Sequence, residues 1–331
     1  MFSLLRLTSR AIALPIVMLF NCIHVAAQGI DTLYPARLNQ RPGVQSPRAF
    51  QNGVETITVR MKNGQYSIVP VTVENDVPLD FHKHQYGRGR QLETDAKDFP
   101  ELANTGLHDE ERLKQIKAIT GKPVDEITRI GRPSQSSGAG FMAEDEDILS
   151  VLIGDNRLAA RLDLTHPQLA KPLFHMWNLV LAEYRHEGVQ RFPCSQIEAI
   201  LYNGQDVHIK GEGSRGFQES IFNDEILGNA KFDIWRDLTP QEQAFLEKHY
   251  THLGAKDFEE MIEKLKYIHT SEMEPYYVMR YGFYEGHTLY RVDPVAIAFI
   301  FGLKNIEEIE HAFPGSLHQI LTQHFSKEIV N

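Results

Sequence analysis

Cysteine is nearly absent: Cys22 and Cys194 are the only two in 331 residues. Cys22 falls in an N-terminal leader, so the processed chain carries Cys194 alone. That excludes an internal disulfide, a thiolate zinc cluster and a CxxCH haem attachment. Extended Lys/Arg blocks are also missing, and the formal charge is −10 with a pI near 5.8. This balance argues against nucleic acid or an anionic membrane as the main partner. The nucleophile motifs SxxK and GxSxG do not occur, and Ser214 in SRG lacks the glycine two residues before it that a nucleophile elbow needs. A membrane-spanning helix takes about 20 apolar residues, whereas the apolar run Ala11 to Phe20 stops at Asn21.

What is present begins with a leader. Arg6 and Arg10 precede that run, and Val25, Ala26 and Ala27 offer a small-residue cleavage site. Residues 1–27 read as a signal peptide, which places the mature chain, starting at Gln28, outside the cell or in the periplasm with no integral membrane segment. The whole chain is 42% hydrophobic and 10% aromatic, enough to bury a large core. VETITVRMKNGQYSIVPVTV alternates apolar and polar residues around Asn63-Gly64 and predicts a hairpin; Asn203-Gly204 offers the turn of a second. Helix-start chemistry then dominates: Asp109 to Thr120, Glu144 to Asp147 before ILSVLI, Thr165 with Gln168, Thr239 with Glu242, Ser271 with Glu274, and Asp293-Pro294. The expectation is a mainly α protein with a small N-terminal β-hairpin. Residues 28–140 form an N-terminal segment and 141–331 a helical domain, the two making one compact unit. RPSQSSGAG, Arg132 to Gly140, reads as the connector.

Several constellations bear chemistry. Gly211, Gly213 and Gly216 make a GxGxxG, but QDVHIK before it is too polar for a buried Rossmann strand, so a surface loop is expected. Glu183 with His186 and Glu308 with His311 repeat the Glu-x-x-His unit of di-iron bundles, although Ile306, Ile309 and Phe313 mark the buried side of NIEEIEHAF and turn Glu308 and His311 outward. Asp80, His82 and His84 share one face if extended, a workable metal-ligand set. Tyr276 to Tyr290 gathers tyrosines, Phe283, Arg280 and His287, and reads first as aromatic core.

Taken in order, some of these pieces resemble the animal-type haem peroxidases of the peroxidase–cyclooxygenase superfamily. SPRAFQN, Ser46 to Asn52, resembles that family's N-terminal arginine-plus-SN segment, with His82 and His84 following at about the distance of its distal histidine. Gly154-Asp155-Asn156-Arg157, with Leu164-Thr165 beyond, is similar to GDxR. Asn178 matches the asparagine of the next helix, QESIFNDEILG resembles the helix ending in YNEFLP, and RYGFYEGHTLYR resembles the proximal RYGHTL segment. The pattern departs where a glutamate is replaced by Ala160, where the arginine before the GH pair is displaced, and where the aspartates beside the distal histidine are missing.

The resemblance implies a helical haem-peroxidase-like domain holding haem b, with His287 as iron ligand and Asn178 and Arg157 beside the cofactor. It implies His84 (or His82) as the proton shuttle and Arg157 as the group stabilising charge while the O–O bond of hydrogen peroxide breaks, a small reducing substrate supplying electrons. Arg157 is expected at the start of a helix spanning residues 156–162. Two other readings stand beside it: a secreted, non-catalytic α-rich binding protein, and a mononuclear metal hydrolase built on Asp80, His82 and His84.

Overall fold

A computed structural model describes residues 53–73, 121–134, 138–184, 196–222 and 227–324. The first hairpin forms as its sequence predicts. Strand β1 (Gly53–Met61) pairs antiparallel with β2 (Tyr66–Val73), with Thr58 opposite Ile68. Gly64 takes φ 81° in the turn, and the Asn63 side chain accepts a hydrogen bond from the Gln65 backbone N–H at 3.0 Å. The second hairpin is also present: β3 (Ile197–Tyr202) and β4 (Gln205–Glu219) turn through Asn203 and Gly204 at φ 48° and 80°. Two positive φ values in a row suit the right-handed twist of the flanking strands.

The chain then exceeds the hairpin expectation. β4 pairs with β5 (Leu227–Trp235), and β5 with β6 (Tyr267–Ser271). The result is a six-stranded sheet of order β2-β1-β3-β4-β5-β6, antiparallel at every step. A mainly α fold with one small hairpin, and with it a helical haem-peroxidase-like domain, is overturned by this sheet.

The physical reasons lie in two segments. KGEGSRG reads as loop because glycines are poor strand formers, yet its backbone continues β4, with a register shift between Gly213 and Gln218; glycine inside a strand commonly marks such an irregularity. QESIFNDEILG, which the resemblance makes helical, instead ends β4 and begins β5. In β5 the pattern has period two: Phe232 and Ile234 are buried while Lys231, Asp233 and Trp235 are partly exposed.

Nine helices complete the described residues: α1 (Val124–Gly131), α2 (Ile148–Arg161), α3 (His166–Tyr184), α4 (Pro240–His249), α5 (Ala255–Lys266), α6 (Glu274–Tyr281), α7 (Pro294–Ile300), α8 (Ile306–Ala312) and α9 (Leu317–Thr322). Most begin where side chains can cap them. Asp147 accepts from the Ser150 N–H at α2, Thr165 and Gln168 exchange bonds at α3, Thr239 and Glu242 form a full capping box at α4, and Asp293 caps α7. Ser271 is an exception: it ends β6, and α6 starts from Met273 without a side-chain cap. Arg157 lies well inside α2 rather than at a helix start.

Helices cover one face of the sheet. Ile57, Val59, Val207, Ile209, Phe232, Ile234 and Ile268 point inward to a core shared with α3, α5 and α7. A second apolar cluster joins α1, α2 and α6 through Ile127, Val151, Phe222, Tyr277, Tyr281 and Phe283. The sheet takes strands from both sides of residue 140. No helix among the described residues is long and apolar enough to cross a membrane.

Candidate functional site

The connection from α6 to α7, residues 282–293, runs between the two apolar clusters: Phe283 belongs to one, Tyr284 and Val292 to the other. A segment so placed must satisfy its polar groups internally, and this one carries many. Glu285 adopts φ 58°, a left-handed conformation unusual for a side chain of this kind and the sort of strain that gathers at functional sites.

His287 is held by Glu146 from the turn before α2. The imidazole Nδ1–H donates to Glu146 Oε1 at 2.9 Å, and the His287 backbone N–H donates to Oε2 at 2.9 Å. Glu146 is fully buried and the His287 side chain 4% exposed. Glu146 Oε2 also accepts from the Ala143 N–H, while Arg132 donates two bonds to the Glu146 carbonyl. Gly286 makes this approach possible, because a Cβ there would lie 2.1 Å from Glu146 Oε2 and 2.9 Å from the Met142 backbone. With its proton on Nδ1, the ring carries its lone pair on Nε2. Burial holds the imidazole below its ordinary pKa, against the pull of Glu146 and with the push of Arg291, so the neutral form prevails at neutral pH.

A second carboxylate pair lies alongside. Asp145, next to Glu146, accepts from His324 Nδ1–H at 2.9 Å, and the His324 ring sits 5.3 Å from the His287 ring, tilted by 38°.

Beneath the histidines lies a buried acid network. Arg291 donates to Asp155 Oδ1 at 2.7 Å and to Asp293 Oδ2 at 3.0 Å, and also reaches the Glu285 carbonyl. Burial lifts Asp155 to about 7 despite the guanidinium. Glu285 accepts from Thr288 at 2.9 Å, and Glu274 is wholly buried nearby. Burial pushes Glu285 to about 8, and burial with the charge of Glu285 raises Glu274 well above the carboxylate range. Tyr284 O–H donates to His166 Nδ1 at 2.8 Å, and His166 Nε2–H donates to Asn156 at 3.2 Å. Burial drives His166 down to about 3, so it stays neutral.

The residues expected from sequence fare unevenly. His287 is at the centre of this arrangement. Arg157 is not brought to it: Asp155 is the α2 residue that meets Arg291, and Arg157 lies about 200° further round the helix. Asn178 is in α3, with its side chain outside the described residues. Asp80, His82, His84 and residues 1–27 also lie outside them. Of the two-sided haem arrangement that the resemblance implies, the described side chains thus include only His287 and Arg157, and among the described residues no group of three or more His, Cys, Asp or Glu is placed to hold a metal ion. Glu308 caps α8 through Asn305; with His311, Arg161 and Lys304 it lines an open cavity of about 440 Å³ away from His287.

Sequence reasoning missed Glu146, Asp155, Glu274, Glu285, Arg291, Asp293 and His324. One signal was readable: Glu272, Glu274 and Glu285 stand among tyrosines, phenylalanine and methionine, where a carboxyl group is costly unless protonated or paired. Comparison of the chain with known proteins gave no match to a family model, a curated protein or a solved structure.

Proposed function

We propose that this chain is an exported acid–base enzyme in which His287 takes a proton from water so that the water can attack an uncharged substrate such as an ester. The observation that carries this reading is the double grip of Glu146 on the His287 Nδ1–H and backbone N–H. That grip fixes ring, tautomer and orientation, leaving Nε2 as proton acceptor. The neighbouring acids support it, since Glu285 is raised while His287 is lowered, and pairs of groups pushed apart in this way mark acid and base roles. An uncharged substrate fits this reading because the carboxylates of Asp145 and Glu146 stand beside the two rings, while Arg132 and Arg291 are engaged by protein oxygens.

The test is hydrolysis of a panel of nitrophenyl esters, phosphodiesters and glycosides. Ester turnover by the wild type, lowered about a hundredfold or more in His287→Gln, is the expected result. Equal rates in the two proteins would contradict it. A Soret band appearing on titration with haemin, and lost in His287→Ala, would instead restore the peroxidase reading.

A further inference from the structure

The structure places a second imidazole at this centre, and we infer that His324 is a further catalytic residue, donating a proton to the leaving group of the ester while His287 removes one from water. The inference rests on the His287 reading. Its geometric basis is a repeated unit: consecutive residues Asp145 and Glu146 each accept the Nδ1–H of one histidine, both at 2.9 Å. The two rings are thereby set side by side at 5.3 Å, each with Nε2 turned from its carboxylate.

The two imidazoles differ in surroundings. His287 is 4% exposed and His324 45% exposed. Two cations at that separation repel, so the pair holds one proton more readily than two. The proposed donor is the ring at the surface, His324, and the acceptor the buried one, His287. The charged groups facing the pair are Asp145 and Glu146 from the turn before α2 and Arg291 and Asp293 from the 282–293 connection, Arg291 acting against a second positive charge on His287.

The step balances. Water oxygen bonds to the carbonyl carbon as its proton passes to His287 Nε2. The carbon–oxygen bond to the alcohol then breaks, and the alkoxide leaves with the proton from His324 Nε2. A neutral His324 and a protonated His287 remain, and one proton transfer through water resets them. No oxidant or further reactant is needed.

A poor leaving group needs this proton and a good one does not. The full chain and its His324→Gln and His287→Gln variants are therefore assayed on the nitrophenyl and ethyl esters of one carboxylic acid. His324→Gln should keep nitrophenyl ester turnover within about threefold and lose ethyl ester turnover about a hundredfold. Loss of both substrates by the same factor, or of neither, overturns the role of His324 while leaving His287 in place. Unchanged rates in His287→Gln, or no turnover of either ester by the wild type, overturn the reading beneath it as well. Histidine chemical shifts supply a readout apart from turnover: removing His324 should raise the pH at which His287 titrates, and an unmoved titration contradicts the pairing.

Discussion

At the scale of single residues, Gly286 is the most exacting position near His287. Its lack of a side chain lets the Glu146 carboxylate reach the His287 backbone N–H, and any Cβ would collide with that carboxylate and with the Met142 backbone. Gly286→Ala must therefore push Glu146 out or move the connection. Overpacking of this kind typically costs about 1–3 kcal/mol. The expected outcome is a lowered urea midpoint together with loss of the His287 tautomer preference, both read on one sample. A variant as stable as wild type with His287 unmoved would show that Glu146 has room the packing denies it. Arg291 makes a contrasting case. It is the cation that Asp155 and Asp293 share, and removing one partner of a buried charged set typically costs about 3–5 kcal/mol. Arg291→Met should unfold at a much lower denaturant concentration than wild type, and a midpoint close to wild type would contradict the network.

At the scale of elements, α2 links the two halves of the site: Glu146 precedes its first turn and Asp155 meets Arg291 from its interior. Its N-cap is Asp147, which accepts from the Ser150 N–H at 3.0 Å and from the Ser150 hydroxyl at 2.8 Å. Asp147→Ala should cost about 1 kcal/mol and appear as faster amide exchange in the first turn of α2; unchanged protection there would mean the helix start is held by other contacts. Caps of this kind are what sequence shows best. Asp147, Thr239 and Asp293 were readable because a cap depends on residues within three positions, and the Asn63-Gly64 and Asn203-Gly204 turns were readable for the same reason. β5 and the length of β4 were not. Their pairing depends on partners outside the local sequence, and Gly211 and Gly213 hide strand character that the register with Phe232 and Ala230 imposes. The site divides similarly: His287 stood out within a motif-like segment, whereas Glu146 and His324 are joined to it only by the fold, 141 and 37 positions away in the chain.

At the scale of the whole molecule, the buried acids and His166 set opposing pH dependences. Glu285 titrates at about 8 when folded against an ordinary 4.5, so the folded state binds its proton more tightly. The stability this contributes is complete below pH 4.5 and is lost as pH rises towards 8. His166, at about 3 against 6.5, does the reverse: its contribution is complete above pH 6.5 and is lost as pH falls towards 3. Because Glu274 and Asp155 move in the same direction as Glu285, while only His287 joins His166 on the other side, the three acids outweigh the two histidines between these limits. Thermal unfolding from pH 3 to 9 should show its highest Tm near pH 4 to 5 and a steady decline to pH 8; a maximum above pH 7 would contradict protonated acids in the core. The central claim, that Glu146 fixes His287 as a neutral imidazole with its lone pair on Nε2, is tested most directly by nitrogen-15 NMR of the imidazole at pH 7, assigned with His287→Gln. The predicted spectrum has a protonated, pyrrole-like Nδ1 and a bare, pyridine-like Nε2; a proton on Nε2, alone or on both nitrogens, would contradict it.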